Sequence, residues 1–275
     1  MKHTQATKKK KKKGKTGLIG LLALCRLLKT TSGQETILSS VEYAIEVLDQ
    51  VASSTPWLAI RARLAQLSGS NSREEKPASS TTSPLLALAS IISETRYNLR
   101  LLGLIPLWVW ASSTIKSPPA DWTERNVIRL QLVSIIIYQA LENVAYLADK
   151  GVVSKAFVEK WFGGVGRVYI WSTRGWFAYI CLAFVKLARQ HVLRERKYAA
   201  GGEKDDDDKQ KKVKEKREEV RAWKKSLVGN LLWAPLALHW SLEKGLGIPK
   251  PIMSPVMFAA GAWDLIDSWN VTSLQ

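Results

Sequence analysis

Residues 132–153 read LVSIIIYQALENVAYLADKGVV, an apolar run that leads into a segment where Glu142 and Asn143 stand side by side. Helical steps of three or four residues place the polar side chains of this region on one narrow stripe. The stripe consists of Gln131, Ser134, Tyr138, Glu142, Tyr146 and Asp149. The opposite side is apolar and consists of Val133, Ile136, Ile137, Ala140, Leu141, Val144 and Leu147. This pattern predicts a helix whose wide apolar side faces lipid and whose polar stripe faces other helices.

Two interpretations of that helix differ in the environment that they give the carboxylate of Glu142. A carboxylate among apolar side chains needs either a proton or a cationic partner. Three arginines inside other apolar segments are candidate ion-pair partners, namely Arg96, Arg100 and Arg174. Alternatively, Glu142 is solvated near the end of its helix, which the sequence Asp149-Lys150-Gly151 marks. The sequence leaves pairing and solvation open.

The chain has 12 Trp among 275 residues and a formal net charge of +17. Six of the Trp lie within or at the ends of apolar segments, where an interfacial belt would place them: Trp108, Trp110, Trp171, Trp176, Trp233 and Trp240. No charge-free stretch reaches the roughly 20 residues of a simple spanning helix. A soluble bundle with a Trp-rich core is the alternative. Because period-2 alternation is absent, we predict an all-α protein. Because of the Trp positions, we predict that it is a membrane-associated helical bundle with amphipathic and membrane-embedded helices.

Composition divides the chain into six segments. The lysine run 8–13 repels itself and indicates a solvated arm, and SGSNSREEKPASSTTS is typical of a linker. We expect a basic disordered arm at 1–24, an N-terminal amphipathic helical region at 25–67, a linker at 68–83, central membrane-associated helices at 84–189, a charged linker at 190–222 and a C-terminal membrane-embedded hairpin at 223–275.

Residues 84–104 and 35–51 are two candidates for a lipid-binding amphipathic helix. The expected lipid-binding residues of the first are Leu85, Leu88, Ile92, Arg96, Leu99, Arg100 and Leu102. Its apolar face can reach the acyl boundary while Arg96 and Arg100 meet lipid phosphates. Helix 35–51 carries acids and no base, which anionic lipid repels. We therefore expect the second helix to pack on protein or on another copy of the chain.

We identify no catalytic residues, no metal-binding set and no cofactor motif in the sequence. The segment GKT at 14–16 lacks the first glycine of a phosphate loop, and the three His are scattered. We therefore expect that the chain is not an enzyme. The lysine run 8–13 could bind the phosphates of a nucleic acid. We expect no nucleic-acid partner, however, because such binding would not explain the Trp-rich apolar remainder of the chain.

Five separated segments resemble the peroxisomal biogenesis factor 11 family, in particular its fungal C-type branch. In chain order they are LLKTTSGQETIL (27–38), SIISETRYNLRLLGL (90–104), YQALENVAYLADKGV (138–152), YIWSTRGW (169–176) and WAPLALHWSLEKG (233–245). The resemblance covers residues 25–268, and only the lysine-rich start and the insertion at 190–222 depart from the family pattern.

The resemblance implies a peroxisomal membrane protein that elongates the membrane to promote peroxisome proliferation and fission. In the family, an amphipathic helix in the N-terminal half inserts into one leaflet. The implied partners are membrane phospholipids, further copies of the chain and the peroxisome fission machinery. A pore-like role has also been proposed for the family, so the alternative is a peroxisomal solute channel, whose path the stripe from Gln131 to Asp149 would line.

Overall fold

The described part of the chain is almost entirely helical. The computed structural model describes residues 20–54, 57, 59, 63, 83–199 and 206–273, so the lysine run and most of the predicted linker lie outside the described residues. In these ranges there are nine helices and no strand, which confirms the all-α prediction. The helices are α1 (20–28), α2 (Thr31–Ser53), α3 (Pro84–Arg100), α4 (Leu104–Lys116), α5 (Trp122–Asp149), α6 (Lys155–Phe162), α7 (Val165–Ala199), α8 (Asp206–Ser241) and α9 (Lys250–Ser273).

Local sequence signals fix several helix ends. The side chain of Thr30 caps α2 by accepting a hydrogen bond from the Gly33 amide at 3.1 Å. Asp121 caps α5 in the same way, through the Glu124 amide at 2.9 Å. Gly163 ends α6 in the left-handed conformation, with φ of 74°, which glycine adopts without a steric cost. Short side-chain acceptors and glycine therefore define where these helices start and stop.

The described residues form two compact units, one of which combines those before Arg100 with those from Lys250 onward. In this unit α9 packs on α2, where the Ser40 hydroxyl donates a hydrogen bond to the Gly261 carbonyl at 2.9 Å. A Cβ atom on Gly261 would lie 3.0 Å from the Tyr43 ring, so the two helices are in close contact there. Helix α3 packs on α2 through Ala89 and Ile92 against Ile45.

The second unit spans Arg100–Pro249 and is organised around the antiparallel pair α5 and α7. The two helices approach most closely at Gly175, where an added Cβ would lie 3.0 Å from the Ser134 carbonyl oxygen and 3.2 Å from the Tyr138 amide nitrogen. Val168 and Ser172, on the same side of α7, are almost fully buried. Small residues at such positions let helix backbones approach, as in membrane bundles. Helix α8 covers another side of α7.

Within the described ranges, two helices are long and apolar enough to cross a membrane by length and composition. They are α5, with a mean hydropathy of 1.3 over its most apolar window, and α7, with 1.2. Only 33% of the α5 window and 22% of the α7 window is buried inside the protein. On α5 the uncovered side includes Leu130, Val133 and Ile137, which are 54%, 55% and 46% exposed. The core helix of a soluble protein would be mostly buried, so these surfaces are suited to lipid.

The segments 190–222 and 223–275 differ from their expected organisation. Helix α7 continues through Ala199 and α8 begins at Asp206, so most of the expected charged linker is helical. It carries both acidic and basic side chains, and Lys197 pairs with Glu219 across the two helices at 2.7 Å. The expected C-terminal hairpin is divided, because α8 packs on α7 in one unit and α9 packs on α2 in the other.

Candidate functional site

The carboxylate of Glu142 lies in an ion pair inside the second unit. Its Oε1 atom is 2.7 Å from Nη1 of Arg100, and the side chains are 9% and 22% exposed. The Tyr138 hydroxyl, one helical turn before Glu142, donates a hydrogen bond to the same oxygen at 3.0 Å. Among the three candidate arginines, the structure places Arg100 against Glu142. A buried carboxylate with a cation and a hydroxyl donor can remain ionised.

Two amides beside Glu142 bind the chain where α3 ends. Gln139 donates to the Arg100 carbonyl at 2.9 Å, and Asn143 donates to the Leu101 carbonyl at 3.2 Å. The two amides also bond to each other at 3.0 Å, because they stand four residues apart on α5. Neither residue belongs to the predicted polar stripe. The signal in the sequence is the pair of amides at helical spacing, since the end of a helix leaves carbonyls that need donors.

Arg174, the second candidate partner, does not contact Glu142. Its Nε atom donates to the Ser241 carbonyl at 3.0 Å, and its guanidinium lies 4.6 Å from the centre of the Trp171 ring. Because Ser241 is the last residue of α8, Arg174 satisfies a carbonyl at the end of that helix. This arginine therefore joins α7 to the end of α8.

Arg96, the third candidate, is buried in the first unit, which corrects the expectation that it meets lipid phosphates. It is 8% exposed, and its guanidinium lies 2.5 Å from Glu42 and 2.8 Å from Glu35, both on α2. The Tyr43 hydroxyl is 3.2 Å away, and burial raises the pKa of this tyrosine. Two of the four acids that argued against lipid binding by helix 35–51 are thus the partners of Arg96. The periodicity of α3 alone could not identify an ion pair with another helix.

The rest of the predicted lipid-binding face of α3 is divided in the structure. Ile92 is buried and Leu85 packs beside it on the cluster that joins α3 to α2. Leu88 is 47% exposed and Leu99 is half-buried. Leu102 is 59% exposed but lies in the turn after α3 has ended. These residues therefore do not form one lipid-facing surface in this arrangement.

The polar stripe of α5 faces protein. Gln131, Glu142 and Tyr146 are buried, and Ser134 and Tyr138 are half-buried. Helix α7 covers the stripe and bonds to it, since Ser172 donates to the Tyr138 carbonyl at 2.9 Å and Gln131 donates to the Tyr179 carbonyl at 3.4 Å. Asp149, the last residue of the stripe, is exposed at the helix end. In a single chain the stripe is a helix–helix contact, whereas a channel would need an open path along it.

The tryptophans do not all lie in an interfacial belt. The Trp176 ring packs against three aromatic rings of α5 and α8, with centroid distances of 6.1 Å to Tyr138, 5.4 Å to Trp233 and 6.2 Å to Trp240. In this cluster Trp176, Trp233 and Trp240 are half-buried, so they are partly covered by neighbouring helices and not only by an interface. Trp108, by contrast, is 74% exposed. Aromatic pairs of this kind contribute about 0.5–1.5 kcal/mol beyond the area they bury.

Helix α4 presents an exposed apolar surface beside this site. None of its residues is buried, and it packs on α5. Four large side chains point away from α5, and we call them the α4 surface: Ile105, Trp108, Val109 and Ile115, at 63%, 74%, 63% and 73% exposed. Exposed apolar patches of this kind mark sites of contact with membrane or protein.

Metal-binding side chains are dispersed in the described part of the chain. No three His, Cys, Asp or Glu side chains come together there in an arrangement that could hold a metal ion. Cys25 and Cys181 are both free and exposed. In the buried cluster around Glu142 the charged groups bind each other and the two amides bind neighbouring carbonyls, so the arrangement is suited to joining helices.

The sequence of the chain resembles those of known proteins. Residues 62–247, more than half of the chain, match the sequence profile of Peroxisomal biogenesis factor 11 (PEX11). The chain is also 28% identical over 176 residues to an uncharacterized protein of Schizosaccharomyces pombe, covering 63% of this chain and 70% of that protein. No solved structure shows significant similarity. The chain therefore belongs to the peroxisomal biogenesis factor 11 family, whose members are peroxisomal membrane proteins.

Proposed function

We propose that this protein bends and elongates the peroxisomal membrane by inserting α4 into one leaflet while α5 and α7 anchor it in the bilayer. Membership in the family implies a general role in peroxisome proliferation and membrane elongation, and the family is one of structural biogenesis factors. The assignment of the bending step to α4 goes further than the family does. It rests on one observation, the exposed apolar α4 surface.

The length of α4 limits how this helix can lie in a membrane. Its 13 residues extend over about 20 Å, while the hydrocarbon core of a bilayer is about 30 Å thick. A helix of this length does not span the core, yet Trp108 and Ile115 would be costly to leave in water. The position that satisfies both constraints is within one leaflet. Added volume in one leaflet enlarges that leaflet and favours curvature.

Helix α3 is the less suitable wedge in this arrangement. Its apolar side packs on α2, and Arg96 is held there by Glu42 and Glu35. To enter lipid with that side, α3 would have to break a buried ion pair, which costs about 3–5 kcal/mol. Insertion of α4 requires no such step.

A membrane protein of this family contacts lipid. We propose two further partners. We propose that copies of the chain associate in the membrane, because one wedge displaces little area and curvature needs many wedges close together. The elongated membrane then serves the peroxisome fission machinery. Neither step requires catalysis by this chain.

The test uses the purified full chain reconstituted into liposomes of phosphatidylcholine and an anionic phospholipid, with tubulation scored by electron microscopy. We expect the wild type to tubulate the liposomes. The double variant Trp108→Ser with Val109→Ser should be incorporated equally but leave the vesicles round, because it removes apolar volume from the leaflet.

The matched control changes two exposed apolar residues outside α4, Val192→Ser with Val213→Ser, which start at 40% and 51% exposed. It should tubulate like the wild type. If the Trp108 and Val109 variant tubulates normally, or if the control fails as completely, α4 is not the wedge.

A further inference from the structure

A cavity of about 510 Å³ lies between the first turn of α5 and the facing parts of α7 and α8, entirely within the second unit. Small-molecule sites have volumes of about 300–1,000 Å³. Leu187 and the Trp223 ring contribute to its wall. Its charged and amide lining residues are Glu124, Lys186, Gln190, Arg194, Lys197 and Glu219. The cavity thus combines an adequate volume with several polar side chains.

Arg194 is the most unusual residue of this lining, because it is only 8% exposed. Its Nη2 atom lies 2.9 Å from Nδ1 of His191, and its guanidinium is 5.4 Å from the centre of the Trp223 ring. Its Nε atom is buried and has no hydrogen-bond acceptor among the described residues; the nearest carboxylate oxygen, on Glu195, is 4.0 Å away. A buried guanidinium with no close carboxylate is costly, so the cavity that Arg194 lines favours an anion.

The remaining charges of the lining are partly satisfied by one another. Lys197 pairs with Glu219 at 2.7 Å, and this hydrogen bond holds the pKa of the Glu219 carboxyl below its ordinary value. Gln190 donates to Glu124 at 2.7 Å. For Lys186 the described structure shows no ion pair. Arg194 and Lys186 are therefore the two cations available to an anion in the cavity.

The position of the cavity along α7 suggests the source of that anion. Residues 175–185 are uncharged, and Lys186 is the first charged residue after them. If the apolar part of α7 lies in the bilayer, Lys186 stands where the hydrocarbon ends and the headgroups begin. Arg194 lies two turns further along the helix. In that orientation the cavity lies at the depth of lipid phosphates.

We infer that this cavity binds a phosphate monoester, with Arg194 and Lys186 contacting the phosphate oxygens. Arg194 supplies fixed N–H donors from a buried side chain, and Lys186 supplies a mobile charge from a half-buried one. A bare phosphate ion would occupy only part of the volume, so the ligand carries a further polar group, as a lipid headgroup or a small sugar or glycerol phosphate does. The inference does not depend on the role of α4.

Binding can be measured by isothermal titration of the full chain in detergent micelles with two probes that share this chemistry. Short-chain phosphatidic acid represents the lipid source and glycerol 3-phosphate represents the soluble source. At least one probe should saturate the wild type. Arg194→Gln should weaken that binding by about tenfold or more, the loss expected for one charge-assisted hydrogen bond.

The matched control is Arg196→Gln, which removes the same charge two residues further along α7, where the side chain is exposed and outside the cavity. It should leave the dissociation constant unchanged. Lys186→Gln provides a second cavity variant if Arg194→Gln lowers the melting temperature of the protein. Saturation by the lipid alone or by glycerol 3-phosphate alone supports the site and identifies the source. No saturable binding of either probe, or equal weakening by Arg196→Gln, would overturn the inference.

Discussion

The ion pair between Arg100 and Glu142 permits a quantitative prediction. In Glu142→Ala the guanidinium loses the carboxylate at 2.7 Å, and the Tyr138 hydroxyl loses the acceptor at 3.0 Å. The charge of Arg100 is then left partly buried without this counterion. In Glu142→Gln an amide oxygen can still accept both hydrogen bonds. We therefore expect the alanine variant to be the less stable of the two.

The expected loss follows from the burial of the pair. Breaking a buried ion pair costs about 3–5 kcal/mol. Because the side chain of Arg100 is 22% exposed, it regains part of its hydration, and the loss falls near 3 kcal/mol, the lower limit of that range. In a unit of roughly 150 residues, a loss of this size lowers the melting temperature by about 6–12 °C.

The assay is thermal unfolding of the purified chain in detergent, together with protein abundance in cells. Asp149→Ala is the matched control, because it removes an exposed carboxylate from the same helix and should change the free energy of unfolding by less than about 0.5 kcal/mol. The double variant Arg100→Leu with Glu142→Leu should recover most of the loss, since it leaves no unpaired charge. If Glu142→Ala melts and accumulates like Asp149→Ala, the carboxylate is solvated and the pair contributes nothing.

Two further predictions concern packing and pH. Gly175→Leu should unfold the pair α5 and α7, because its side chain would enter the Ser134 backbone, whereas Gly166→Leu meets open space and should be tolerated in the same melting assay. Burial, with repulsion from Glu42 adding to it, raises the pKa of Glu46, so the folded state binds this proton more tightly than the unfolded state. The stability gained from that proton is present at low pH and is lost as the pH rises through the folded pKa. Glu46→Gln should therefore raise the melting temperature at neutral pH, by a margin that shrinks on acidification; a margin that grows on acidification would contradict this reasoning.

The sequence predicted helix α5 and its polar stripe because both depend on the spacing of residues within one helix. Gln131, Glu142 and Tyr146 are buried and Val133 is exposed, as the period of 3.6 residues requires. Spacing within a helix does not say which helix lies opposite. For that reason the sequence left three arginines as possible partners of Glu142.

The predictions for Arg96 and Trp176 missed a neighbouring helix for the same physical reason. Arg96 was expected at lipid because its own helix is amphipathic, but the carboxylate that binds it, on Glu42, lies 54 residues earlier in the chain. Trp176 was expected at the membrane interface, but it packs on Trp233 of another helix. A large apolar side can be covered equally well by lipid or by a neighbouring helix, and local patterns do not distinguish the two.

The contact between Ser40 and Gly261 can form only late in the synthesis of the chain. The two residues are 221 positions apart, and the whole second unit lies between them in the chain. At about 5–20 residues per second, a ribosome needs roughly 10–45 s to travel from one to the other. During that interval the face of α2 that receives α9 is uncovered, while the apolar surfaces of α5 and α7 are already emerging. The nascent chain therefore needs protection from aggregation until its last helix has been made.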